Sequence, residues 1–150
     1  METSQGLGAP LLFHPTFGHK IGLFSINLEL LLGMTMFRLP KEKVVYMADI
    51  VSPNRVLFTI VPDFNIREWT RTLKEIEAMD FDKAVFSHGS PSVGSKKEVI
   101  ANREFIEDLR GAIYAEFKKG TNPFMIPTTI KLPKYKDGAM YNECLEAAFG

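Results

Sequence analysis

Two short apolar runs, separated by one amphipathic helix pattern, constrain the fold of this chain more than any other feature. The first run, Val44–Ala48, is continuously apolar, which predicts a strand buried on both faces of a sheet. Apolar residues at three- and four-residue spacing then predict a helix from a cap at Asp63 or Asn65 to about Met79. The second run, Lys83–Phe86, has the length of a strand. The order strand, helix, strand predicts a layered α/β domain.

Further elements flank this unit. Apolar and polar residues alternate over 26–32, which predicts a strand, and Thr35–Leu39 would return beside it. Ser95 and Glu98 have the spacing of a capping box at the start of a second helix, which should end near Gly120. The tail, 121–136, contains three prolines and is predicted to be extended, and 141–149 could form a last helix. The apolar side of the second helix is predicted to consist of Val99, Phe105, Ile106, Leu109, Ile113 and Phe117.

Composition and charge restrict the class of protein. The chain has 150 residues, of which 45% are hydrophobic, so residues 10–150 are predicted to form a single globular domain after a flexible N-terminus, 1–9. Its 18 basic and 18 acidic residues balance, which argues against a nucleic-acid partner. The apolar region 21–37 is interrupted by Asn27 and Glu29 and is too short to cross a membrane. The single cysteine, Cys144, and the absence of a signal-peptide pattern predict a cytoplasmic protein.

Each of the two apolar runs is followed by a residue that can bind a metal. Asp49 follows the first run and His88 follows the second, and ligands of open α/β sheets collect at the carboxyl ends of strands. Carboxylates and imidazoles bind first-row metals well, but a catalytic zinc normally has three protein ligands. The alternative is structural: Asp49 can cap the turn before Pro53, and His88 can hydrogen-bond the backbone beside Gly89.

From Ile26 to Tyr141 the chain resembles the metallo-β-lactamase superfamily of metal-dependent hydrolases. The segment LPKEKVVYMADI is similar to the family strand that ends in an aspartate bridging two metal ions. The segment KAVFSHG is similar to the strand that ends in a GHG-type motif, whose histidine binds the second metal. SPSVGSKKEV resembles the stretch after that histidine, and IKLPKYKDGAMY resembles a C-terminal pattern of some members. The resemblance implies that Asp49 and His88 are metal ligands and that the metal is zinc, iron or manganese.

The family fold is a four-layered αββα sandwich made of two related halves, with the metals at the seam between them. This chain resembles the C-terminal half, so the resemblance implies a metallo-β-lactamase-like half of the sandwich: a mixed sheet with two main helices. Such a half would expose the apolar sheet face that meets the other half, and monomers rarely expose so large a patch. We therefore expect a partner, either a second copy in a homodimer or a separate chain that supplies the missing half.

The HxHxDH motif that forms the first metal site of the family is missing from this sequence. The histidines are His14, His19 and His88. His14 precedes Pro15 and is predicted to be a strand-end or surface residue. The surroundings of His19 are similar to those of a further family histidine, but matching the two requires an insertion. The predicted metal site is therefore incomplete.

Three functions remain open on the sequence alone. The first is a binding or structural subunit with an incomplete metal site, or with no metal at all, that is not self-sufficient as a hydrolase. The second is a metal-dependent hydrolase of an ester, lactone, amide or phosphoester, whose site is completed by a partner chain or a homodimer. The third is a small-molecule binder that uses an apolar face around Leu28, Leu30 and Leu32.

Overall fold

The elements predicted within the described residues occur in the predicted order, and two further strands, a short helix and a 3-10 turn accompany them. The computed structural model describes residues 22–25, 35–55, 65–139 and 141. The strands are β1 (Gly22–Ser25), β2 (Thr35–Leu39), β3 (Val44–Met47), β4 (Lys83–Phe86) and β5 (Val93–Gly94). The α-helices are α1 (Ile66–Ala78), α2 (Lys96–Lys118) and α3 (Ile126–Thr129), and a 3-10 turn covers Pro133–Tyr135.

The strands form one mixed sheet in the order in which they occur in the sequence. β1, β2 and β3 are antiparallel neighbours, β3 and β4 are parallel, and β4 and β5 are antiparallel. The parallel pair requires a crossover connection, and α1 lies in that connection. The predicted fold class, a mixed sheet with two main helices, is confirmed.

Both long helices begin where the sequence predicts. The side chain of Asn65 caps α1 and accepts a hydrogen bond from the amide of Glu68 at 3.2 Å. A capping box opens α2, in which the carboxylate of Glu98 accepts from the amide of Ser95 at 2.7 Å. These side chains satisfy amides at the start of each helix that have no partner within it.

One face of the sheet packs against both helices. Met36, Met47 and Phe86 are cross-strand neighbours on this face, and all three are buried. Side chains of both helices complete a single core, because the apolar stripe of each helix faces the sheet. The helix residues of this core are Trp69, Leu73 and Ile76 from α1, and Val99, Phe105 and Ile106 from α2.

The opposite face of the sheet carries an apolar row that is open to solvent. The row, here called the open face, consists of Phe37, Tyr46, Val85 and Val93, which pair with one another across four adjacent strands. Phe37 is 39% exposed, Tyr46 36% and Val93 53%. The prediction that Val44–Ala48 is buried on both faces is therefore wrong, because the described helices cover only the other side of β3.

Phe117, the last residue of the predicted apolar side of α2, is 51% exposed. One further prediction needs correction. The tail 121–136 is not fully extended, since Pro127 and Pro133 lie in the first turns of α3 and of the 3-10 turn. Proline is tolerated there because an amide at that position has no helical partner.

Several predictions concern residues outside the described ranges. These are the N-terminus 1–9, the strand 26–32 and nearly all of the last helix, 141–149. Within the described ranges, no helix combines the length and the apolar character that crossing a bilayer demands. The cytoplasmic location stays a prediction.

Candidate metal-binding site

Asp49 and His88 lie at the same end of two neighbouring parallel strands. Met47 pairs with Phe86, and each candidate ligand lies two residues beyond its member of this pair. Equal offsets on parallel strands about 4.8 Å apart bring the two residues to the same level of the sheet. Their side chains meet there, with Nε2 of His88 2.9 Å from Oδ1 of Asp49. The structure thus brings together the two residues predicted from the sequence.

Both side chains of this pair are open to solvent. His88 is 51% exposed and Asp49 is 63% exposed. A carboxylate–imidazole contact at such exposure contributes at most about 1 kcal/mol to folding stability. The pair is therefore accessible to a ligand, and the fold does not depend on it.

Hydrogen bonds between the two strand-end loops fix the backbone beside the pair. The amide of Ser90 donates to the carbonyl of Pro53 at 2.9 Å, and Nδ2 of Asn54 donates to the carbonyl of Ser90 at 2.8 Å. Gly89 lies directly against Pro53 with a φ of +86°, and an added Cβ would lie 2.7 Å from the Pro53 nitrogen. This close approach of the loops requires glycine, because a Cβ would overlap backbone atoms that cannot rotate away.

Each long helix holds the loop after Asp49 through one buried polar group. Nε1 of Trp69, on α1, donates to the carbonyl of Ile50 at 2.9 Å. Oδ1 of Asn102, on α2, accepts from the amide of Ser52 at 3.0 Å. Sequence reasoning assigned Trp69 to packing and overlooked Asn102. The helical spacing of α2 places Asn102 on the buried face of the helix, and a polar group on a buried face needs a hydrogen-bond partner. This spacing is the feature of the sequence that points to Asn102.

The pair supplies two donor atoms of the kind that a metal ion binds. An imidazole nitrogen and a carboxylate oxygen bound to one tetrahedral zinc lie about 3.4 Å apart, close to the observed 2.9 Å. In the described part of the chain, however, no group of three or more His, Cys, Asp or Glu side chains could hold a metal. His14 and His19 lie outside the described residues, as do Leu28, Leu30 and Leu32. The described residues thus offer two side chains of the kind that bind a metal.

Comparison with solved structures identifies the fold. A metallo-β-lactamase from Pontibacter korlensis matches with a TM-score of 0.56 and 13% identity, over 67% of this chain and 47% of that one. A stereoselective inverting sec-alkylsulfatase from Pseudomonas sp. matches with a TM-score of 0.67 and 15% identity, over 95% of this chain and 25% of that one. No family model matches the sequence, and a search of curated proteins finds no match.

The chain therefore has a metallo-β-lactamase-type fold, as the sequence resemblance implied. It spans about half the length of the first of these structures and a quarter of the second. At these identities the likeness establishes the fold alone.

Proposed function

We propose that this chain is one part of a metallo-β-lactamase-fold unit, contributes Asp49 and His88 to a metal site, and is not a hydrolase by itself. The observation that carries the proposal is the 2.9 Å contact between two metal-binding side chains at adjacent strand ends. Among the described residues there is no group of three or more metal-binding side chains, which supports the proposal that the chain is not a hydrolase by itself. The chain then acts as a binding subunit, with zinc, iron or manganese as the candidate metals.

Within this proposal, each residue has a defined task. His88 binds through Nε2 and Asp49 through Oδ1, since these atoms already face each other. Gly89 and Trp69 keep the two loops in position. A metal ion bound there would act as a Lewis acid. Hydrolysis of an ester, lactone, amide or phosphoester would be a property of the assembled unit, because the remaining ligands come from outside the described residues.

Metal binding by the isolated chain should depend on both residues of the pair. We expect His88→Ala and Asp49→Asn each to weaken zinc binding by roughly tenfold or more, because the first removes one of the two donors and the second replaces a carboxylate by a weaker, neutral amide oxygen. Competition titration against a chelator and elemental analysis after metal-supplemented expression measure this. Asp82→Asn, which changes an exposed carboxylate in the loop before β4, is the matched control. Equal metal content in the wild type and in His88→Ala would refute the site.

The partner of the proposed unit would bind the open face. Phe37, Tyr46 and Val93 are large apolar side chains that remain substantially exposed in one row, whereas stable monomers seldom leave contiguous apolar surface uncovered. The matched part is also only 47% of the metallo-β-lactamase structure and 25% of the alkylsulfatase structure. A second copy is the simplest partner, and a chain supplying the missing half is the alternative.

Charging the open face should abolish association. We expect the wild type to have a mass above the 16.9 kDa of one chain in light scattering, and Tyr46→Glu to reduce it to that value. The reason is that burying an unpaired carboxylate in an apolar interface is strongly unfavourable. Tyr114→Glu, at a tyrosine of α2 that is 64% exposed, is the matched control and should leave the mass unchanged. A compact, stable wild-type monomer would exclude the homodimer.

A further inference from the structure

We infer that the C-terminal end of α2 and the turn after it bind the surface of an anionic lipid bilayer. In the described part of the chain, large apolar side chains are exposed in two places. One is the open face, and the other, here called the helix-end patch, consists of Tyr114, Phe117, Phe124 and Met125. All four are more than half exposed, and Phe124 is 88% exposed. Apolar patches of this kind mark contacts with proteins or membranes. A partner on the open face does not cover this one, because the helices lie on the other side of the sheet.

The turn that carries Phe124 and Met125 is held in place by hydrogen bonds. The side chain of Asn122 accepts from the amide of Phe124 at 3.0 Å. The carbonyl of Asn122 accepts from the amides of Met125 at 2.8 Å and Ile126 at 3.1 Å. Ile126 is 3% exposed and anchors the turn in the core. The turn is thus fixed, and its two apolar side chains remain exposed although the next residue is buried.

The last turns of α2 present apolar and basic side chains together. Tyr114 and Phe117 are three residues apart and Lys118 is four residues after Tyr114, so the three share one side of the helix. The ammonium group of Lys118 lies 5.2 Å from the centre of the Tyr114 ring. Tyrosine and lysine are typical anchors in the interfacial region of a membrane. This side of α2 therefore has the composition of a surface that contacts lipid headgroups.

The balanced charge of the whole chain conceals a local excess of positive charge. Residues 109–136 contain six basic residues and a single acidic one, Glu116. Glu116 is paired with Lys119, and Lys134 is paired with Asp108. The basic residues of this segment that have no carboxylate partner in the described part of the chain are Arg110, Lys118, Lys131 and Lys136. These cations are available to anionic headgroups, each of which carries a phosphate or a carboxylate.

The size of the patch favours a bilayer over an acidic protein as the partner. A standard protein interface takes about 20–30 residues from each side, whereas the patch offers four apolar side chains at the end of one helix. Protruding apolar side chains with basic ones around them suit a bilayer, because the first enter the boundary of the acyl chains and the second attract anionic headgroups. Binding of this kind requires no helix that spans the membrane.

Flotation with lipid vesicles tests the inference, using the full chain at low ionic strength in the presence of EDTA. Vesicles of phosphatidylserine and phosphatidylcholine in equal parts offer an anionic surface, and vesicles of phosphatidylcholine alone are the neutral control. We expect binding to the anionic vesicles to be at least roughly tenfold stronger, because each basic residue near the surface adds to the attraction. This difference should shrink in high salt, which screens the charges.

Substitutions in the patch give the result its specificity. Phe124→Ser should weaken binding to the anionic vesicles roughly tenfold, because it removes the most exposed apolar side chain, whereas Phe124→Leu should retain most of it. Lys118→Gln should weaken binding roughly fivefold. Lys97→Gln, at an exposed lysine in the first turn of α2, is the matched control and should change nothing, since about 30 Å of helix separates it from Lys118.

Three results would overturn the inference: no binding to the anionic vesicles, equal binding to both kinds of vesicle, or wild-type binding by Phe124→Ser. If the first were accompanied by binding to polyglutamate, the patch would instead belong to an interface with an acidic protein. Circular dichroism of each variant confirms that it is folded, as expected for substitutions at exposed positions. Because EDTA removes metal, failure of the metal site would leave these results unaffected.

Discussion

Replacement of Gly89 by alanine is expected to lower the free energy of unfolding by about 3 kcal/mol and to separate His88 from Asp49. Two effects add. The φ of +86° costs an L-residue about 1–2 kcal/mol. The new Cβ would also lie 2.7 Å from the Pro53 nitrogen and 2.9 Å from the Ser52 carbonyl carbon, and overpacking of this kind costs about 1–3 kcal/mol. Relief requires the loops to move apart, which displaces the residue preceding Gly89.

Denaturant unfolding monitored by the single tryptophan, Trp69, measures this loss of stability. Gly120→Ala is the matched control, because Gly120 has a similar φ of +78° but nothing within 4 Å of an added Cβ. Gly120→Ala should lower the free energy of unfolding by only about 1 kcal/mol. Gly111→Ala, in the open interior of α2, should instead stabilise the chain by about 0.5–1 kcal/mol. If Gly89→Ala and Gly120→Ala were equally destabilising, the contact between Gly89 and Pro53 would be refuted.

The ends of the strands and the start of the second helix could be predicted from the sequence, because both depend on residues that are close together in the chain. The lengths of the apolar runs located Asp49 and His88 beyond strand ends, and the capping pattern at Ser95 and Glu98 located the start of α2. The contact between Asp49 and His88 depends instead on the register that pairs Met47 with Phe86. Register is set by packing across the sheet, which residue types along one strand do not specify.

The wrong prediction for β3 has a physical cause that bears on assembly. A continuous apolar run indicates that both faces of a strand avoid water, but it does not state what covers them. In the described chain the helices cover Val45 and Met47, whereas Tyr46 is 36% exposed. An apolar run with one open face is the pattern expected if a partner covers that face. The misprediction therefore supports the proposed interface on the open face.

Removal of the Trp69 side chain is expected to have the second large effect. Trp69 is 4% exposed within the core, so Trp69→Ala should destabilise the chain by about 3–5 kcal/mol. Trp69→Phe keeps an aromatic ring but leaves the carbonyl of Ile50 without the indole donor, which should cost about 1–3 kcal/mol. Circular dichroism of the helices during denaturation measures both, since the fluorescent residue is lost.

The comparison of the two variants separates packing from positioning. Ile50 follows Asp49 directly, so loss of the bond to Ile50 frees the loop that carries the candidate ligand. Trp69→Phe should therefore raise the Kd for zinc even under conditions in which the variant is fully folded. Tyr114→Phe, at an exposed tyrosine of α2, should change neither the Kd for zinc nor the free energy of unfolding. If Trp69→Phe bound zinc as the wild type does, the indole would serve the core alone. In that case the position of Asp49 would have to depend on Asn102 and on the contact of Gly89 with Pro53.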